Sequence, residues 1–259
     1  MRTMLVLLLA LLSGCASVAD AGRLADVQVL NRTTGQPMET YRHQGRLYIA
    51  GNPGDRYAIA LRNASAGRVL AVVSVDGVNA VTGETAAARQ SGYVLSPWSS
   101  AEIRGWRKSL DDVAAFYFTA LPDSYAARTG RPDNVGVIGV ALFRERAVPR
   151  AELELKADLA RRPAAAAPPA SGSAGEGDAG ALARGKQARE ERLGTGHGER
   201  IADATRYTEF QRAGERPDQV VTLHYDSRAN LVARGIIPPY AVLPQPQAFP
   251  GGFVADPYN

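Results

Sequence analysis

The chain has 259 residues, of which 45% are hydrophobic and 22% are charged, a composition typical of a globular protein. Lysine and arginine together number 30 against 26 aspartate and glutamate residues, so the net charge is only +4. The basic residues form no dense stripe of the kind that binds nucleic acid, and we expect no nucleic-acid partner. The chain has one cysteine, which excludes a fold held together by internal disulfides.

The N-terminus carries an apolar run over positions 4–12 that follows a basic residue, Arg2. A helix needs about 20 apolar residues to cross the hydrocarbon core of a membrane, so this run is too short to span one. Its length and flanks are instead typical of the hydrophobic region of an export signal. The run ends in Leu12-Ser13-Gly14-Cys15. This tetrapeptide resembles the lipobox of bacterial lipoprotein precursors.

The resemblance implies that residues 1–14 are a lipoprotein signal peptide that is removed, and that Cys15 then carries a lipid such as palmitate. Residues 15–23 would form a lipidated leash. The alternative is cleavage by the ordinary signal peptidase at Ala19-Asp20-Ala21, which would discard Cys15. Within the lipoprotein class, the small, uncharged Ala16 and Ser17 favour sorting to the outer membrane. We therefore expect an envelope protein that is anchored to a membrane through Cys15, that faces the periplasm, and for which the outer membrane is favoured over the inner.

Residues 24–146 form the predicted globular body, in which short apolar runs alternate with a period of two residues. Turn residues such as Asp76-Gly77 separate the runs, which are 24–30, 47–50, 57–61, 69–75, 93–95, 101–106, 113–119 and 135–146. A parallel α/β fold would need helices of about 10–15 residues between the strands, and the sequence shows none. The pattern predicts a mainly β fold, an antiparallel and jelly-roll-like β-sandwich with 69–75 and 135–143 in its core. A body of this size should bury enough apolar surface to fold alone.

The pattern changes after residue 146. Residues 147–162 are predicted to be a boundary element, and 163–180 a disordered linker, because the linker has no apolar side chain larger than alanine. We predict a small α+β segment over 181–237, with Gly194-Thr195-Gly196-His197-Gly198 as a polar loop and 220–225 as a short strand. The proline-rich end, 238–259, is predicted to be disordered. Because the apolar run 220–225 needs a cover, we expect 194–237 to dock either on the body or on a partner protein.

Motifs that carry chemistry are absent from the sequence. There is no Gly-x-Ser-x-Gly elbow and no Ser-x-x-Lys pair. The glycines of 194–198 are not followed by the Gly-Lys-Ser/Thr of a phosphate-binding loop. The three histidines, His43, His197 and His224, are not spaced as metal ligands. We therefore predict no catalytic residue, no cofactor and no metal, and a protein that is not an enzyme.

The candidate interaction residues lie on two long polar loops of the body and in the C-terminal segment, because rigid sandwiches usually bind through their loops. They are Asp76, Asn79, Arg128, Asp133, His197, Val221 and Tyr225. One hypothesis is a non-enzymatic interaction or structural module that binds an envelope protein. The alternative is a module that binds a glycan or another small ligand through aromatic side chains such as Trp98 and Trp106. The globular part also resembles proteobacterial envelope proteins, a resemblance that implies no activity.

Overall fold

The computed structural model describes residues 23–147 and 192–239. The predicted signal peptide, Cys15, the linker 163–180 and the end 240–259 lie outside the described residues. So do all but the first residue of the predicted boundary element, and positions 181–191 of the predicted small segment. Within the described ranges the predicted fold class is confirmed, because the chain is mainly β and is built from antiparallel sheets.

The described part of the chain contains thirteen strands and two short α-helices. The strands are β1 (Ala25–Asn31), β2 (Thr40–His43), β3 (Arg46–Gly51), β4 (Tyr57–Asn63), β5 (Val69–Val75), β6 (Val78–Asn79), β7 (Tyr93–Leu95), β8 (Ser100–Ile103), β9 (Gly105–Arg107), β10 (Asp112–Ala120), β11 (Val137–Arg144), β12 (Leu193–Ala202) and β13 (Gln219–Ser227). The helices are α1 (Tyr125–Arg128) and α2 (Arg228–Ala233), and single 3₁₀ turns lie at Leu121–Asp123 and Pro132–Asn134.

The strands form three sheets. The largest has the order β2-β3-β13-β11-β5-β6, with β7 also paired to β5, and the two smaller ones have the orders β1-β4-β8 and β12-β10-β9. Among the described residues every pair of strands is antiparallel except β13 and β3, which run parallel from Leu223 opposite Leu47 to Ser227 opposite Gly51. Buried side chains from all three sheets meet in one core. This arrangement is the sandwich that the alternating runs predict.

Strand β5 explains why the run 69–75 is almost continuously apolar in the sequence. Val69, Ala71, Val73 and Val75 point into the main core. Leu70 and Val72 lie on the opposite face, in a second cluster with Phe143 and the partly buried Phe210. A strand covered on both faces loses the apolar–polar alternation, which is how the sequence indicated a central position for 69–75.

The division of the chain differs from the predicted one, because the C-terminal segment is part of the body's sheets. Strand β12 pairs with β10 from Leu193 opposite Ala120 to Ala202 opposite Asp112. Strand β13 lies inside the large sheet, between β3 and β11. The physical reason is that β13 buries Val221, Leu223 and Tyr225 in the main core while both of its edges are paired with neighbouring strands. The body predicted over 24–146 therefore lacks one internal strand of its own largest sheet.

Residues 194–198 were predicted to be a polar loop, but they form the first half of β12. The reason is steric. A Cβ at Gly196 would lie 2.2 Å from the ring of Tyr117, and one at Gly198 would lie 2.8 Å from the carbonyl oxygen of Ala115. A Cβ at Gly194 would lie 2.6 Å from that of Ser124. Gly196 and Gly198 therefore allow β12 to pack closely on β10, and Gly194 allows it to pack closely on Ser124. Close approach of a neighbour is a known reason for glycine within a strand.

Candidate functional site

A buried carboxylate, Asp76, lies at the turn between β5 and β6. Asp76 has a φ of 52° and Gly77 a φ of 73°, and this pair of left-handed residues makes the two-residue hairpin turn that Asp-Gly favours. The side chain of Asp76 is fully buried. A buried carboxylate is costly unless hydrogen bonds compensate it, so its partners decide what it does.

Three donors converge on Asp76. Its Oδ1 accepts from the hydroxyl of Tyr225 at 2.5 Å and from the backbone N–H of Gly136 at 2.9 Å, and its Oδ2 accepts from the N–H of Thr195 at 2.8 Å. An ionised carboxylate only accepts, so the Tyr225 proton is committed to Asp76. Thr195 Oγ1, at 2.7 Å, then donates to Tyr225, and the Tyr57 hydroxyl, at 2.6 Å, donates to Thr195.

The resulting chain of hydrogen bonds joins all three sheets. Tyr57 belongs to β4, Thr195 to β12 and Tyr225 to β13, while Asp76 follows β5. Burial raises the pKa of Asp76, and the hydrogen bonds from Tyr225, Thr195 and Gly136 act in the opposite direction. Burial, together with the nearby Asp76 charge, raises the pKa of both tyrosines well above the usual value. Both phenols are therefore protonated donors near neutral pH, in a network whose side chains are at most 3% exposed.

A cleft of about 370 Å³ adjoins this network and shares Tyr225 and Gly136 with it. Its volume lies in the range of small-molecule sites, which is roughly 300–1,000 Å³. The cleft is lined by β3, β13, the start of β12, the end of α2 and the turn before β11. The lining residues are Arg46, Tyr48, Asp133, Asn134, Val135, Gly136, Val137, Arg192, Leu193, His224, Tyr225, Asp226 and Arg234.

One wall of the cleft is an aromatic pair on the parallel strands. His224 is directly opposite Tyr48 in the register of β13 and β3, and the two rings lie 5.3 Å apart with an interplanar angle of 31°. The guanidinium of Arg234 lies over the Tyr48 ring, 5.6 Å from its centroid. Tyr48 is buried in a small apolar cluster with Leu231, Ile236 and Ile237, and the cation and the imidazole cover its ring.

Three arginines give the cleft its charge. Arg192 Nη2 donates to the carbonyl oxygen of Val135 at 2.8 Å, and Arg234 Nη1 lies 3.5 Å from Asp226 Oδ2. Arg46 is exposed, and its side chain makes no hydrogen bond or ion pair with any described residue. Burial lowers the pKa of His224, and the charges of Arg46 and Arg234 lower it further, so the imidazole is neutral near neutral pH.

Asp226, the buried acid of the cleft, is already saturated with donors. Its Oδ1 accepts from the N–H of Ser227 and from Nδ2 of Asn230, each at 2.8 Å. The longer contacts with the backbone N–H of Leu193, at 3.4 Å, and with Arg234 bring the number of partners to four. Asp226 thus holds the start of α2 in place, and the acid left on the cleft surface is Asp133, which is exposed.

The structure brings three of the seven predicted interaction residues together. Asp133 and Tyr225 line the cleft, and Asp76 lies directly behind it as the acceptor of the Tyr225 hydroxyl. Asn79 has a different role, because it is buried and its Oδ1 accepts from the N–H groups of Val81 and Thr82. Asn79 therefore stabilises its loop from inside, whereas we predicted that it would contact a partner from that loop.

The other three predicted residues lie away from the cleft. Arg128 is exposed at the last position of α1. His197 packs its ring 5.4 Å from that of Tyr125, and burial lowers its pKa. Val221 is buried in the main core, where it does not face a partner.

Of the two tryptophans predicted to face a glycan, one is exposed and the other is buried. Trp98 is exposed over 63% of its surface. Trp106 is buried in the core, in an edge-on contact with Phe116, and its Nε1 donates to the carbonyl oxygen of Gly196 at 3.3 Å. Its burial removes one of the two tryptophans from any stacking surface.

Sequence reasoning missed the residues that give the cleft its character: Arg46, Arg192, Arg234 and His224. Arginine is abundant throughout this chain, and the four positions are spread over residues 46–234, so no local pattern could single them out. In the described ranges no group of three histidine, cysteine or acidic residues could hold a metal ion. None of the helices in those ranges is long and apolar enough to cross a membrane.

Comparison of the chain with protein-family models, with curated protein sequences and with solved structures gave no match.

Proposed function

We propose that this protein is a lipid-anchored lipoprotein of the bacterial envelope whose β-sandwich is a non-enzymatic interaction module. The observation that carries the proposal is the tetrapeptide Leu12-Ser13-Gly14-Cys15 at the end of an export-type apolar run. In this proposal the lipid on Cys15 is inserted in the membrane, in the outer rather than the inner one, and the body faces the periplasm. An envelope protein is the expected partner.

The position of the body's first strand supports the proposal. Leu24 is buried, and its backbone N–H donates to Oε1 of Gln219 at 2.6 Å, so the residue directly before β1 already packs on the body. The residues between Cys15 and Leu24 can extend over at most about 30 Å. A lipid at Cys15 would therefore keep the sandwich within about one domain diameter of the bilayer surface.

The buried acid–hydroxyl pair of the core is not placed for catalysis. Asp76 and Tyr225 form the shortest acid–hydroxyl pair of the network, but the Asp76 side chain is fully buried and Tyr225 is only 3% exposed. A general acid or base must reach a substrate within hydrogen-bond distance. This pair is enclosed by protein, so its effect is on the stability of the sandwich.

Replacement of the cysteine tests the anchor. We expect the wild-type mature chain to begin at Cys15 and to carry a lipid mass, and we expect Cys15→Ala to lose both the mass and the incorporation of labelled palmitate. Intact mass spectrometry of protein purified from membranes is the measurement. Ser17→Ala, two residues beyond the tetrapeptide, is the matched control and should still be lipidated. An unmodified mature N-terminus at Gly22 would contradict the proposal.

A second candidate function, binding of a small ligand, is favoured by the arginine-lined cleft. The cleft is formed by residues of the body and of the C-terminal strands together, at a volume that suits a small molecule. In this candidate the lipid anchor holds a binding protein at the membrane.

A further inference from the structure

We propose that the cleft between β3, β13 and the start of β12 binds the phosphate monoester group of a small organic ligand. The inference specifies the ligand class of the second candidate function and does not depend on the lipid anchor. It rests on the placement of Arg46, Arg192 and Arg234 around one cavity of small-molecule size.

The charges of the cleft favour an anion. Its lining has three arginines against two acids, Asp133 and Asp226. The carboxylate of Asp226 is already engaged by Ser227, Asn230 and Arg234, so it competes little for a cation from solution. The remaining acid, Asp133, is exposed to water, which screens its charge.

The three guanidinium groups have donors to spare. A guanidinium carries five N–H donors, and Arg192 commits one of its terminal nitrogens to the carbonyl of Val135. That contact and the position of Arg234 between Asp226 and Tyr48 hold two arginines in place before any ligand arrives, which reduces the entropy lost on binding. Arg46 is without a partner among the described residues and is free to close on a ligand.

The number of guanidinium groups distinguishes phosphate from carboxylate. A carboxylate carries one charge and two oxygens and is satisfied by a single arginine fork. A phosphate monoester carries between one and two charges and three terminal oxygens near neutral pH, so it can use several forks at once. Three arginines around one small cavity match the second kind of group.

The aromatic wall disfavours a neutral sugar. Sugar rings bind proteins by stacking on open aromatic faces, but the Tyr48 ring is covered by Arg234 and by His224. The positive field of Arg46 and Arg234, which lowers the pKa of His224, is the field that a bound anion would neutralise. His224 is therefore a natural reporter, and its ring signals should shift when phosphate enters.

Calorimetric titration of the full-length chain tests the proposal, with glucose 6-phosphate, glycerol 3-phosphate, inorganic phosphate and glucose as probes. We expect at least one phosphate ester to bind and glucose not to bind. Arg46→Gln should weaken ester binding by about tenfold, the loss typical of one charge-assisted hydrogen-bonding group. Arg62→Gln, at an exposed arginine of β4 in another sheet, is the matched control and should bind like the wild type.

The two esters distinguish the sources of the phosphate. Tighter binding of glucose 6-phosphate would assign a phosphorylated sugar, and tighter binding of glycerol 3-phosphate would assign the headgroup of a lipid. Failure of every phosphate probe to bind, binding of glucose alone, or equal affinity in the wild type and Arg46→Gln would overturn the proposal. The NMR signals of His224 give a second readout in the same samples. None of these outcomes bears on the mass of the mature N-terminus, so the two proposals fail independently.

Discussion

Asp76→Ala is expected to lower the free energy of unfolding by about 3–5 kcal/mol, the sum expected when several buried donors lose their acceptor at once. Alanine would leave three buried donors without an acceptor: the hydroxyl of Tyr225 and the N–H groups of Thr195 and Gly136. Each buried unsatisfied group costs roughly 1–3 kcal/mol. The turn adds to the loss, because alanine tolerates the left-handed φ of position 76 less well than aspartate does.

Urea denaturation followed by circular dichroism measures this loss, and two variants calibrate it. Tyr225→Phe removes one donor and leaves Asp76 with Gly136 and Thr195, so we expect a smaller loss of about 1–2 kcal/mol. Asp133→Ala removes an exposed carboxylate from the same cleft and should change stability by less than about 0.5 kcal/mol. A loss below about 1 kcal/mol for Asp76→Ala would mean that the network does not hold the sheets together.

A fragment that contains only residues 23–147 is expected not to fold. Without β13, strands β3 and β11 each lose a paired neighbour, and the core loses Val221, Leu223 and Tyr225. Burial of each such side chain contributes roughly 1.5–3 kcal/mol, and the loss of β12 from β10 adds to this sum. The total approaches the 5–15 kcal/mol by which whole domains are stable.

Differential scanning calorimetry distinguishes the outcomes. The 23–147 fragment should show no cooperative transition, whereas a chain of residues 23–239 should unfold cooperatively with a β-type circular dichroism spectrum. A cooperative transition in the shorter fragment would show that 24–146 is an independent domain, as its alternating runs alone predict.

Local pattern was enough to find most strands of the body. The runs 57–61, 69–75 and 93–95 lie within β4, β5 and β7, and the predicted run 101–106 is divided into β8 and β9 at Arg104. These strands carry their own signal because one face, or both, is buried. Strand β2 gave no signal, since it lies at the edge of the large sheet with polar side chains that remain partly exposed.

Long-range pairing was beyond the same reasoning. The apolar run 220–225 indicated a strand that needs a cover, but nothing in its residues shows that it pairs in parallel with β3 and antiparallel with β11. In the sequence, Gly196 looks like a loop residue. The ring that requires a glycine at this position belongs to Tyr117, which is 79 positions away in the chain.

Single residues of the candidate site could be predicted from the sequence, but their arrangement could not. Asp76 was found as a turn residue and Tyr225 as the end of an apolar run, yet their hydrogen bond depends on how β5 and β13 are placed within one sheet. The arginines of the cleft could not be found at all, because an arginine in a binding cleft and an arginine on a solvated surface look the same in a sequence. Geometry alone distinguishes them.

Hydrogen exchange on the full-length chain tests the central claim, which is that the C-terminal strands and the body form one cooperative sandwich. The amides of 221–225 in β13 should exchange as slowly as those of 71–75 in β5, with the same free energy of opening, because internal strands of one sheet open only when the whole unit unfolds. Exchange of 221–225 at random-coil rates while 71–75 stays protected would contradict the account.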